Sequence, residues 1–208
     1  LPALALAAGL SARSLVKADV QLANNAVLAM YQDEDANMWI GTYDGLHLYN
    51  GKNTFVFRME LDNEFSLCSN IVLEIAPAEK GYLWVATSLG INKFSLRERR
   101  VVESYMQYVD VENIASDSEG NTVLFSGEDF ITCYRPGRAF FEDVYIPGVR
   151  AAEIVAVWSE APRVFCTLGR DGELVRYRLN DGEGKSLVRV SGRQLSARPV
   201  RKAFFNGG

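Results

Sequence analysis

The sequence predicts an all-β chain of repeated four-stranded sheets, and three observations carry that reading. A compact stretch, residues 33–51, packs an acidic turn, a short strand, an Asp-Gly turn, a second short strand and an Asn-Gly turn. The same plan returns along the chain with a period near 40 residues. Val, Ile, Leu, Phe and Tyr dominate the short runs between turn residues, which suits sheets covered on both faces. A period of about 40 with four short strands per unit is the signature of a β-propeller blade. One such sheet cannot bury both its faces, so blades stack around an axis and cover each other.

Trp39 marks the first copy, in Trp39-Ile40-Gly41-Thr42 followed by Asp44-Gly45-Leu46. Trp84 marks the second, 45 residues on, in Trp84-Val85-Ala86-Thr87 followed by Leu89-Gly90-Ile91. The third keeps the acidic turn Asp117-Ser118-Glu119-Gly120 and has Val123 in the Trp place. In the fourth, Val164 is the expected marker, ahead of Gly169-Arg170-Asp171-Gly172.

In chain order, residues 1–10 are an apolar run too short to span a bilayer. With Ala5-Leu6-Ala7 and Ser11-Ala12 behind it, the run reads as the remnant of an export signal over residues 1–12. Residues 13–25 lead in. Blade one is expected at about 20–60, with strands over 26–32, 38–41, 46–49 and 54–58. Residues 61–69 form a polar linker. Blade two is expected at 70–106 with 71–76 innermost, and blade three at 107–146, ending on a strand over 139–144. Blade four is expected at 147–190, its outer pair joined at Asp181-Gly182, with 191–199 a polar connector. A fifth unit begins at 200–208, so the partial propeller at 13–208 reads as part of a larger ring of more than four blades.

The runs Leu22-Ala23-Asn24-Asn25-Ala26-Val27, Trp39 through Leu46, and Ser66-Leu67-Cys68-Ser69-Asn70 resemble the two-component regulator propeller repeat. The likeness is specific over the first two blades and survives in the third and fourth as period and turn chemistry. It implies the periplasmic sensor region of a Bacteroidetes-type hybrid two-component histidine kinase. It further implies a small-molecule ligand, an oligosaccharide, and a homodimer that drives a kinase across the membrane through a span outside this sequence.

Composition narrows the alternatives. Net charge is −4 with no basic tract, which argues against nucleic acid. Arg97-Glu98-Arg99-Arg100, the densest charge cluster, reads as a solvated approach to an outer strand. The three cysteines, Cys68, Cys133 and Cys166, show no zinc spacing, and the last two fall in expected strands as buried thiols, with a disulfide left open. No glycine loop for phosphate and no nucleophile elbow is present, so no metal or cofactor is expected. The single histidine, His47, sits between leucines and is expected at a blade surface. Asp33, Glu34, Asp35, Glu128 and Asp129 could supply a carboxylate pair, yet Asp33 to Asp35 lie in a turn where Asp accepts backbone N–H bonds.

Trp39 and Trp84 recur at one repeat position, which favours packing between blades over a sugar platform. Propeller specificity belongs to residues that do not repeat. Those are Tyr43 and Asp44 in a turn of blade one, Asn70, Glu128, Arg170, and Trp158 at the end of blade four's inner strand. The expectation is a non-enzymatic, extracytoplasmic ligand sensor. Its rivals are a propeller lyase or glycoside hydrolase, which needs a convergent acid/base pair in the channel, and a protein-binding scaffold, which needs an apolar rim.

Overall fold

The computed structural model describes residues 21–105, 111–127, 130–138, 140–180, 187–196 and 198–201. The expected signal remnant, Glu128, the Asp181-Gly182 turn and most of the fifth unit lie outside these residues. Blade one comprises β1 (Val27–Gln32), β2 (Met38–Thr42), β3 (Gly45–Tyr49) and β4 (Thr54–Phe57). Blade two comprises β5 (Val72–Pro77), β6 (Tyr82–Thr87), β7 (Gly90–Ser95) and β8 (Arg100–Tyr105). Blade three comprises β9 (Val111–Ser116), β10 (Thr122–Ser126), β11 (Phe130–Tyr134) and β12 (Glu142–Asp143). Blade four comprises β13 (Ile154–Ala161), β14 (Val164–Gly169), β15 (Glu173–Leu179) and β16 (Leu187–Gln194), preceded by one 3-10 turn at Ala151–Glu153. Each blade is an antiparallel meander with its strands in sequence order.

Two outer strands differ from expectation. β12 is two residues long: Val144 still donates its N–H to the Ile131 carbonyl of β11 at 2.7 Å, the chain leaves the sheet beyond it, and Val144 and Ile146 pack inward against blade four. β16 runs on to Gln194 through residues expected as connector, carried by a register shift at Arg176/Tyr177 that keeps it paired with β15.

The stack is held by three apolar layers, one between each pair of blades. Trp39, Leu46 and Leu48 of blade one meet Ile75, Leu83, Val85 and Phe94 of blade two. Trp84 and Ile91 meet Ile114, Leu124 and Tyr134 of blade three. Val123, Phe125 and Cys133 meet Phe165, Val175 and Tyr177 of blade four. Trp39 and Trp84 are fully buried, Trp39 edge-on to Phe94 at 5.4 Å and Trp84 edge-on to Tyr134 at 5.1 Å. They are inter-blade core, as their repetition implies.

Pairing corrects the register of the fourth copy. Trp39, Trp84 and Val123 pair with inner-strand residues four beyond the strand start, namely Tyr31, Ala76 and Ala115. The same relation in blade four joins Trp158 to Cys166, so Cys166 holds the marker place and Val164 does not. Trp158 therefore does have equivalents. It lies in the middle of β13, which continues to Ala161, on the blade face that in the other three meets the next blade. The sequence hid this because β13 and β14 run two residue pairs past the marker place to their turn.

His47 also departs from expectation. It is fully buried beside Ile40 on the face of blade one turned away from blade two, where its Nε2 accepts the Ala23 N–H at 3.0 Å. Burial pushes its pKa down, so the imidazole is neutral and pins the lead-in segment to the blade. Cys133 and Cys166 are buried free thiols, and burial pushes Cys133 up to about 12. Cys68 is a free thiol that donates to Asn92 Oδ1 at 3.2 Å.

Candidate ligand-binding rim

The meander gives blades one, two and four a short turn between their second and third strands at one end, and every blade a turn between its first and second at the other. Two rims result, and the candidate residues must be placed on one or the other. Tyr43, Asp44 and Arg170 lie in turns between second and third strands, and Asn70 precedes an inner strand at the same end. Four of the six candidates therefore share one rim.

The blade-one end of this rim is built from the repeat's own chemistry. Thr42 Oγ1 accepts the Asp44 N–H at 2.9 Å and donates to the Gly45 carbonyl at 3.2 Å, closing the turn from inside. Gly45, at φ +106°, leaves no room for a Cβ, which would meet the Phe57 carbonyl at 2.5 Å. The turn is tied to blade two by the Gly45 N–H on the Asn70 carbonyl at 2.8 Å, while Asn70 Oδ1 takes the Met59 N–H at 2.7 Å. Asn70 is thus a structural clasp. Asp44 forms a two-pronged fork with Arg58, at 3.0 and 2.9 Å, which holds its carboxyl below the usual range. Tyr43 stands beside them half exposed. The turn therefore carries both an exposed ring and a planar guanidinium–carboxylate pair, and it is braced by two blades.

Arg170 occupies the blade-four end. Its N–H donates to the Glu153 carbonyl at 2.7 Å, its carbonyl accepts the Val200 N–H at 2.8 Å, and its guanidinium faces Glu153 at 3.6 Å. Beside it opens a cleft of about 700 Å³ between the loop at residues 145–150 and blade four, floored by Ile146, Ile154, Val175, Tyr177 and Leu187. That lies within the roughly 300–1,000 Å³ of small-ligand sites. Trp158 belongs to the sheet and not to the rim, and Glu128 lies outside the described residues.

Three features were not anticipated from sequence. One is Arg58, whose fork with Asp44 crosses 14 residues that a strand pairing brings together. Another is Lys93, nearly buried between Tyr82, Trp84 and Tyr134 and paired with Glu79; burial opposes its charge, but Glu79 outweighs it and raises its pKa. The third is Glu74 on the inner strand of blade two, whose pKa is raised by burial. The solvated Arg cluster has more structure than expected: Arg99 lies over Phe55 and Arg100 over Phe65, at 5.0 and 4.1 Å. Among the described residues no group of three metal-ligating side chains converges.

Residues 21–44 match the family model of the two component regulator propeller, so blade one carries a repeat of that kind. No curated protein matches the chain. Among solved structures, the chain is similar to the extracellular domain of the putative one component system BT4673 from B. thetaiotaomicron, with a TM-score of 0.59 at 16% identity. That match covers 82% of this chain and 25% of the other. A second structure of BT4673, described as a putative hybrid two component system, gives 0.53 at 18%, covering 83% and 22%. The WD40 repeats of RRP9 match at 0.60 and 12%, covering 79% and 50%. At these identities the likeness is one of fold: the chain is a β-propeller, spanning about a quarter of the BT4673 extracellular domain and half of the RRP9 WD40 repeats. Among the described residues no helix is long and apolar enough to cross a membrane.

Proposed function

We propose that the chain is the extracytoplasmic, ligand-sensing propeller of a hybrid two-component sensor kinase, located in the periplasm. The observation that carries this is the regulator propeller repeat at residues 21–44, set in a propeller whose fold resembles the extracellular domain of BT4673. On this reading the propeller has no catalytic role, and the kinase belongs to the full-length protein. The ligand is an oligosaccharide, met at the rim that carries Tyr43, Asp44, Asn70 and Arg170. An exposed aromatic ring beside a fixed polar fork suits a sugar, which offers an apolar face and a hydroxyl edge. The sensor works as a homodimer, and the sugar biases it only by binding one dimer state better than the other.

Titration of the ¹⁵N-labelled chain with a panel of neutral and acidic oligosaccharides tests this. The expected result is amide shifts concentrated at residues 43–45, 58–59 and 70, abolished by Tyr43→Ala. A sugar that binds with shifts only on the opposite rim, or that binds Tyr43→Ala unchanged, would overturn the site.

A further inference from the structure

The cleft beside Arg170 exists for a reason that sequence lengths make plain. β15 and β16 have seven and eight residues, but β12 of the facing blade has two. The inner half of blade four is covered by blade three, while its outer half looks across at the loop of residues 145–150 instead of at a strand. The surface left between them is apolar in its floor, and Leu187, Val188 and Arg189 all line it. Successive residues of a strand point to opposite faces, so a cleft touched by all three wraps around the free edge of β16. That edge has no further strand beside it among the described residues. It is also the longest outer strand of the four blades, and Val188 and Val190 on it are 40% and 51% exposed.

The charged groups at the mouth are already engaged. Glu173 pairs with Arg189 at 2.5 Å, Glu153 faces Arg170 at 3.6 Å, Asp171 Oδ1 accepts the main-chain N–H of Glu173 at 2.9 Å, and Arg150 is not free either. An occupant therefore needs no charge of its own. It needs main-chain donors and acceptors for an open strand edge, and small apolar side chains on alternate residues for the floor.

We infer that this cleft binds an extended, uncharged peptide segment, which adds to blade four as a fifth strand along β16 and drops alternate aliphatic side chains between the loop at 145–150 and Val175. Strand addition draws its affinity from main-chain bonds and its selectivity from pockets for every second side chain. The inference reaches beyond the sugar-sensing reading and does not require it, since the blade-one fork takes no part.

The test uses the whole 208-residue chain and the peptide acetyl-Thr-Val-Ser-Val-Thr-Val-Ser-amide, followed by ¹⁵N NMR. The expected shifts fall on residues 187–194 and 145–150. Two forms of the peptide, N-methylated on the odd or on the even residues, separate strand addition from simple apolar contact. One methylated form places its methyl groups against β16 and loses main-chain bonds, weakening binding on the order of 10- to 100-fold; the other binds like the parent. Val188→Asp, at an exposed position, puts a charge on the cleft edge and weakens the peptide while leaving shifts at residues 43–45 unchanged when sugar is added. Equal binding of both methylated forms overturns the inference, as does an absence of shifts at millimolar peptide. A sugar that moves residues 187–194 where the peptide does not also overturns it, without touching the sensor reading. Failure of the sensor reading shows separately, as sugars that leave residues 43–45 unmoved.

Discussion

Blades one and three carry the same acidic turn, yet its carboxylate serves different ends in each. In blade one, Asp33 Oδ1 accepts the N–H groups of Asp35 and Asn37, and Oδ2 accepts the Asn37 amide and the indole N–H of Trp39 at 2.8 Å. In blade three, Asp117 takes the corresponding bonds from Glu119 and Asn121. The marker there is Val123, which has no N–H to offer. Asp117 Oδ2 instead accepts the Arg163 N–H of blade four at 2.7 Å. Blade two shows the converse. Ala78 stands six residues before Trp84, where Asp33 stands before Trp39, so the buried indole looks outward and donates to Thr122 Oγ1 of blade three at 2.9 Å. A turn closed on itself makes a self-contained blade, while a donor or acceptor left over becomes a tie to the next one. Buried polar atoms must find partners, and the repeat's drift decides whether the partner is local.

This comparison orders the mutational effects. Asp117→Ala orphans buried N–H groups of two blades and is expected to lower unfolding stability by about 3 kcal/mol, read from urea denaturation. Asp33→Ala strands donors within one blade and is expected to cost about 2 kcal/mol. Equal losses would mean that the tie to Arg163 is worth no more than the Trp39 indole bond it replaces. Thr122→Val removes the acceptor of Trp84 while keeping the shape, for a loss of about 1 kcal/mol, with Trp84 fluorescence reporting the changed indole environment.

Acid should probe the blade-one turn more finely. Burial would raise the Asp33 carboxyl, but the Trp39 indole, the Asn37 amide and two backbone N–H groups outweigh it and hold the pKa below the usual range. A depressed carboxyl contributes stability that is present above its unfolded pKa, about 4, and is lost as pH falls through the folded value. Asp33→Asn is therefore expected to flatten stability against pH below about 4, while lowering it at neutral pH by turning an amide N–H toward the indole. A slope unchanged from the parent chain would contradict the assignment. The smallest effect belongs to the rim. Arg58→Gln breaks an exposed fork and should move stability by less than about 0.5 kcal/mol, yet weaken sugar binding in the titration.

The blades were legible in the sequence because turn residues punctuate them: strands β1 to β4 lie within a residue or so of the runs read between Asp, Gly and Asn. The fourth register was not legible, since without a Trp the marker had to be placed by counting, and a first hairpin that runs two pairs past the marker place, where the others run one, shifts the count. The short β12 was obscured by an apolar run through Phe140 and Phe141, whose side chains do not all remain in a sheet. Its one signal was Pro147-Gly148, a turn pair close behind the run. The rim was half visible. Non-repeating residues pointed to Tyr43, Asp44 and Arg170, but Arg58 and Glu153, which hold two of them, are ordinary surface charges until strand pairing sets them opposite. Asn70 does not break the repeat: it stands two residues before β5 as Asn25 stands two before β1, 45 residues earlier, and its side chain takes the Met59 N–H.

The sensor assignment is most directly tested by the reading frame beyond Gly208 in the source gene. The account predicts further blades, then an apolar span of about 20 residues, then a histidine-kinase core. A frame that closes the ring and stops, with no apolar span, would contradict it and return the propeller to the enzyme and scaffold readings.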